Sequence, residues 1–312
     1  MNETSSKVSV VMAVYNEAEY IWTAIESILG QTFEDFEFLI IDDGSSDRTP
    51  EIINHYAERD NRIKHLINET NKGLPASLNR GIEAANGEYI ARMDADDKSR
   101  PERFERQVEF LETNPDVHVV GCDVRVFGVN GEYFGDREFR QDGRDPDTLR
   151  QEGPQVAHPS VMMRRTSVRA VDGYRTAFKY AQDLDLWIRM ARMYGPQFLY
   201  VLPQPLIEYR LSPSKYRRNN VRNIYASYAG KANGEELPLD ERIAQTIEQQ
   251  HTKPNPARER SMYQYTAGRL LLERGRRVQA GRRFLAAIAA SPKNYRAWYG
   301  CLLMITSPIR ST

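Results

Sequence analysis

The stretch FEFLIIDDGSSDRT at residues 36–49 is an apolar run that breaks into two aspartates, a glycine and small polar groups. A continuous apolar run with acids at its exit reads as a buried strand that delivers Asp42 and Asp43 to its C-terminal tip, where open α/β sheets place ligands. A second break of the same kind follows at GEYIARMDADD, residues 87–97, and ends in Asp94, Asp96 and Asp97. Upstream, VSVVMAV at 8–14 has a strand pattern with YNE as its exit turn. Ile21, Ile25, Ile28 and Leu29 then recur at helical spacing before Gly30, giving strand, helix and strand within the first 41 residues.

Working outward, a helix is expected over Thr49–Arg59, a strand at IKHLI (63–67), and a helix over 74–86 with Leu78, Ile82 and Ala85 on one face. This order predicts an α/β fold with a mainly parallel sheet whose faces are protected by helices. Ser99 and Pro101 open another helix with a Phe104, Val108, Leu111 stripe, closed by Asn114 and Pro115. Strands are expected at 117–121 and 160–165, a helix at 183–195, and a loop rich in Gly, Asp, Arg and Pro from 128 to 155. Beyond about Tyr216 the pattern turns helical, and residues 262–304 predict two or more packed helices. The expected division is a domain over 1–215 and a helical C-terminal extension over 216–312.

The 312 residues carry 43 Lys and Arg against 43 Asp and Glu, a balance that argues against nucleic-acid wrapping and against an acidic solvating protein. From His251 onward, however, 12 Lys or Arg face only Glu259 and Glu273. Cys122 and Cys301 are too few and too far apart for a disulfide scaffold or a clustered zinc site, so reduced thiols are expected. MNETSSK lacks the basic and apolar regions of a secretory signal, and no run approaches the roughly 20 apolar residues of a membrane span. The expected location is the cytoplasm, with association at the inner face of a membrane as an option.

Two acidic strand tips suit a nucleotide diphosphate sugar, which offers a base, a ribose, two phosphates and a leaving group that gains negative charge. A hard divalent cation on carboxylate oxygen would stabilise that charge. The chain resembles the family 2 glycosyltransferases, an inverting group with the GT-A nucleotide-diphospho-sugar transferase fold. The resemblance lies in VSVVMAVYNEAEYI, SILGQTFEDFEFLIIDDGSSDRT, NKGLPASLNRGIEAANGEYIARMDADD, RPERFERQVEFL, HPSVMMRR and QDLDLWIRM, in order over residues 7 to about 210.

That resemblance implies a GT-A catalytic domain in which Ala13, Tyr15 and Glu17 line the nucleotide side and Asp43 recognises the base. Lys72 in NKG is expected near the donor, although local chemistry alone reads it equally well as a surface lysine. The family's DXD motif falls on Asp94, Ala95 and Asp96. Asp96 is then the expected ligand of Mn²⁺ or Mg²⁺ and Asp94 the sugar-nucleotide contact, while Asp97 either supports the site electrostatically or caps a helix. The family's ED motif falls on Gln182 and Asp183, making Asp183 the expected catalytic base; by itself it reads equally as a helix cap. His158 is a candidate acceptor or phosphate contact or a structural histidine, and Trp187 reads as helix packing. Arg210 and Lys215 in EYRLSPSK are candidate phosphate partners, but the histidine often found after YR in the family is absent.

The expected function is metal-dependent, inverting transfer of a sugar from a nucleotide diphosphate donor, with UDP the preferred base, to a glycan or lipid-linked acceptor in bacterial surface polysaccharide synthesis. A sugar nucleotidyltransferase would need a basic triphosphate loop near the first strand, where YNEAEY is poor. A non-catalytic glycan-assembly binding protein is the other alternative. In the C-terminal section, packing against the catalytic domain competes with docking to a membrane surface or an assembly protein through Arg269, Arg274, Arg276, Arg277, Arg282 and Arg283.

Overall fold

Strand β1 (Val8–Val14) lies between β2 (Phe36–Asp42) and β4 (Tyr89–Met93), and β3 (Ile63–Ile67) flanks β2, all in parallel. The computed structural model describes residues 6–139, 145–213, 229 and 255–306. The sheet continues through β8 (Met162–Arg164), β6 (Val119–Phe127), β9 (Leu199–Arg210) and β5 (Lys98–Ser99), with β7 (Tyr133–Arg137) paired to β6. It is a curled, largely parallel sheet of nine strands, in which β8, β7 and β5 enter antiparallel.

All seven residues of β2 are buried, as its unbroken apolar run requires. Within it, Glu37 takes hydrogen bonds from Ser9 Oγ (2.6 Å), Lys64 Nζ (2.7 Å) and the Asn86 amide (2.7 Å). Burial alone would raise the Glu37 carboxyl; these three donors outweigh it and hold the group below its usual range. Helices α1 (Ile21–Leu29), α2 (Thr49–Ala57), α3 (Leu74–Ala84) and α4 (Arg103–Thr113) bury the apolar faces read from the sequence. Helix α3 sits so close to β1 that a Cβ on Gly81 would lie 2.5 Å from Val11 Cγ1.

Two regions differ from the sequence expectation. The excursion at 128–155 contains β7, whose Phe134 is buried, and α5 (Pro146–Glu152), whose Leu149 is buried and whose N-terminus is capped by Asp145. The D-P-D-T string at 145–148 carried that cap signal, but the surrounding charge masked it. Strand β9 follows α6 (Arg165–Ala170) and α7 (Gln182–Tyr194) and contains Pro203 and Pro205, which read against a central strand. The ladder to β6 accommodates them by shifting register on both sides of Asp123, which pairs with Pro205.

The C-terminal residues form α8 (Pro256–Glu273), α9 (Arg277–Ala290) and α10 (Tyr295–Thr306), in line with the expectation of packed helices. Phe284, fully buried, is seated between two glycines: a Cβ on Gly268 or on Gly300 would come within 2.6 Å of its ring. The helices dock on β7 through Tyr263 against Phe134, at 6.1 Å between ring centres, and through the ion pairs Arg283–Glu132 (3.1 Å) and Arg274–Asp136 (3.3 Å). One hydrophobic cluster runs from β1 through Val124, Val126 and Phe134 to Tyr263 and Phe284. Cys122 lies inside it with no exposed surface, and burial pushes its thiol up to about 11.

Candidate active site

The tips of β1, β2 and β3 are tied together before any ligand arrives. The Asp43 amide donates to Val14 O (2.8 Å) and the Asn68 amide to Asp42 O (2.8 Å). Asp43 Oδ1 accepts from Asn68 Nδ2 (2.7 Å) and the Lys72 amide (2.9 Å), while Oδ2 accepts from the Gly73 amide (2.8 Å). An ionised carboxylate offers about four lone-pair sites, so one more donor can still be accepted. Asn16, at φ 54°, accepts from the Ser46 amide (2.8 Å) and fastens the YNE turn to the DGSS loop. Ala13 and Glu17 line this edge half-buried, Tyr15 is 46% exposed, and the Lys72 side chain is exposed.

Beside them, β4 delivers the acidic loop. Ligand oxygens of Asp94, Asp96 and Asp97 lie within 4.8 Å of one another. Arg92, two residues back along the strand, is 3% exposed and ion-pairs with Asp94, while its Nε and Nη1 are buried without a hydrogen-bond partner among the described residues. Asp97 accepts from the Arg210 amide (2.7 Å), and Arg210 Nε donates to Asp96 O (2.9 Å) with its guanidinium 4.2 Å from the centre of the Tyr20 ring. The end of β9 is therefore locked to the acidic loop. Three carboxylates converge here with Arg92 paired to Asp94, a hard-oxygen donor set that suits a divalent cation.

Helix α7 opens at Ala181 in a left-handed conformation (φ 57°), which turns Asp183 outward and Asp185 inward. Asp185 is fully buried and held by Arg189 Nε (2.9 Å) and Arg175 Nη1 (3.3 Å), so it serves the fold. Asp183 is half-buried, and its carboxylate makes no hydrogen bond among the described residues. His158 is almost buried between the two acidic centres: Nε2 shares a 2.7 Å hydrogen bond with the Tyr174 hydroxyl, and the ring packs edge-on against Trp187. Burial, then the Arg92 charge, push His158 down to about 3, and burial raises Tyr174, so both are neutral and both feel Asp94 and Asp183. Trp187 is buried packing. Lys215 lies outside the described residues.

Sequence reasoning passed over Arg92 and Tyr174. A charged residue inside the strand EYIARM was the available signal for the first; Tyr174, in VDGYR, carried none that a single sequence reveals.

Solved structures share this architecture. The mannosyltransferase PcManGT from Pyrobaculum calidifontis, in complex with GDP-Man and Mn²⁺, superposes with a TM-score of 0.59 at 18% identity, covering 99% of this chain and 83% of its own. TarS 1-349 of S. aureus in complex with UDP-GlcNAc gives 0.55 at 19% identity, covering 95% and 91%. These likenesses assign the fold to the GT-A type. Residues 9–172 match the sequence model of Glycosyl transferase family 2, and the chain belongs to that family of transferase enzymes. EpsE of Bacillus subtilis, named as a glycosyltransferase, is 41% identical over 187 residues, 59% of this chain and 66% of EpsE. The O-antigen biosynthesis glycosyltransferase WbnJ of Escherichia coli is 34% identical over 184 residues, 59% of this chain and 71% of WbnJ. The matched segment thus spans about two thirds of these relatives' length.

Proposed function

We propose that the chain moves one sugar, with inversion, from a nucleotide diphosphate donor to a hydroxyl of a glycan or lipid-linked acceptor, in the assembly of a bacterial surface polysaccharide. The observation that carries the reading is the contrast between two acidic centres: a cluster at Asp94, Asp96 and Asp97 in which Arg92 pairs with Asp94, and a separate, half-buried carboxylate at Asp183 with no hydrogen bond among the described residues. A donor's diphosphate suits the first and an acceptor hydroxyl the second.

In this mechanism the remaining lone pair of Asp43 accepts from an imide N–H of uracil, with Tyr15 against the base or ribose and Ala13 and Glu17 along the same edge. Asp94, oriented by Arg92, accepts from donor hydroxyls. Asp96 would hold Mn²⁺ or Mg²⁺, and the bound cation would supply positive charge where negative charge builds on the diphosphate leaving group. Lys72, Arg210 and Lys215 add positive charge at the phosphates. Asp183 takes the proton of the attacking hydroxyl, which adds to the anomeric carbon opposite the leaving nucleotide. The neutral His158–Tyr174 pair brings no positive charge to the neighbourhood of Asp183. The catalytic unit is assigned to 1–215 and the extension to 216–312, working in the cytoplasm. UDP is the assigned nucleotide; a neighbour with UDP-GlcNAc and one with GDP-Man show that the fold accepts either base.

Calorimetry with UDP-, GDP- and dTDP-sugars, each with Mn²⁺, Mg²⁺ or chelator, tests the reading. Metal-dependent binding of a UDP-sugar is expected, weakened in Asp96→Asn. Asp183→Asn should bind donor as the wild type does yet turn over roughly 10²–10⁴-fold more slowly. Near-wild-type transfer by that variant across a pH series rejects Asp183 as the base, and donor binding without transfer to any acceptor class favours a non-catalytic binding protein.

A further inference from the structure

Tyr295, Trp298, Tyr299 and Leu302 on α10 are 73%, 56%, 56% and 53% exposed. Their spacing of three, four and seven residues puts them on one stripe of the helix. The opposite side is the packed one: Ala297 is buried, Gly300 meets Phe284 and Met304 meets Gly281. On α9, Val278 (72%) and Leu285 (63%) are exposed seven residues apart, along a ridge next to Gly281 and hence on the flank that adjoins α10. The Trp298 indole is fixed on the surface by a 3.0 Å hydrogen bond from Nε1 to Pro292 O, so its ring stands out as a rigid group.

The charges around this stripe sort into two sets. Arg274 and Arg283 turn toward the catalytic domain and pair with Asp136 and Glu132, and Arg276 lies over Tyr133. Arg282, Lys293 and Arg296 are exposed on the outer side, with the Arg296 guanidinium 5.9 Å from the centre of the Tyr295 ring. No Asp or Glu follows Glu273, so α9 and α10 carry no carboxylate at all.

Tyrosine and tryptophan rings with one apolar body and one polar edge partition to the headgroup level of a bilayer, and flanking cations are drawn to anionic lipid. A second copy of the chain would bring two cationic, carboxylate-free faces together and meet repulsion instead. Among the described residues no helix is long and apolar enough to cross a membrane. We propose that this face docks the protein on an anionic bilayer surface, with Tyr295, Trp298, Tyr299 and Leu302 entering the headgroup region and Arg282, Lys293 and Arg296 meeting lipid phosphates. The proposal stands apart from the donor, acceptor and base assignments.

The test uses the full chain with vesicles of phosphatidylcholine alone or mixed with phosphatidylglycerol. Co-sedimentation is expected with the anionic vesicles, falling off at high salt. Three cations at the surface should favour the anionic vesicles by about a hundredfold. Lipids brominated near the headgroup should quench tryptophan fluorescence in the wild type and in Trp22→Phe but not in Trp298→Phe. The double variant Arg282→Glu, Arg296→Glu should bind at least about tenfold more weakly with an unchanged melting temperature. Absence of binding to anionic vesicles at low salt, or binding with no quenching of Trp298, overturns the proposal. So does self-association that Trp298→Glu abolishes in sedimentation velocity, an outcome that assigns the face to a second copy.

Discussion

Arg92 is the residue on which the acidic loop turns. It is fully buried beside Asp94, and desolvating an ion pair costs several kcal/mol that only the partner's charge offsets. Removing Asp94 alone leaves the Arg92 guanidinium as a buried charge, whereas removing Arg92 leaves a partly exposed carboxylate. Asp94→Leu should therefore lose about 3–5 kcal/mol in urea unfolding, whereas Asp94→Leu with Arg92→Met should recover much of that; additive losses would show that the pair is not coupled. His158 makes a pH-dependent contribution of a defined sign. Its folded pKa lies below its ordinary value of about 6.5, so the unfolded chain binds the proton first. The stability it confers is complete above about pH 6.5 and is lost toward pH 3 at up to about 1.4 kcal/mol per pH unit. Between about pH 6 and 4, His158→Gln should show a flatter stability curve than the wild type in urea titrations, and parallel curves would contradict this.

At the scale of elements, Phe284 holds three helices through glycines on two of them. Phe284→Ala should cost about 3–5 kcal/mol, read by chemical denaturation, because neither Gly268 nor Gly300 has a side chain to fill the space. The parallel strands β1 to β4 and the helices α1 to α4 were legible because each has one period over its whole length and ends in a turn or acidic break. Strand β9 was not, since Pro203 and Pro205 contradict a ladder unless a register shift is known in advance, and that shift belongs to the partner strand β6. Segment β7 was hidden for a related reason: only Phe134 and its neighbour Gly135 are buried, and they are buried by α8, more than 100 residues away. At the site, the acidic tips were readable as text, while the use of Asp43's oxygens by Asn68, Lys72 and Gly73 depends on a loop from another strand.

For the whole molecule, the shared cluster joining β1, β6 and β7 to α8 and α9 predicts that the C-terminal helices and the sheet unfold together. The partly exposed pairs Arg283–Glu132 and Arg274–Asp136 contribute at most about 1 kcal/mol each, so apolar contact at Tyr263 and Phe134 sets the coupling. Single-tryptophan variants retaining Trp187 in the core or Trp298 on α10 should give coincident urea transitions; an earlier midpoint for Trp298 would make the extension a separate folding unit. The two cysteines turn that cooperativity into a chemical clock. Burial raises both thiols, but Cys301 is only half-buried on α10 and should react in the native state, whereas Cys122 is sealed within β6 with no exposed surface. Mass spectrometry after timed labelling would therefore count one modified sulfur per native molecule, and the arrival of the second would record the moment when the sheet itself opens.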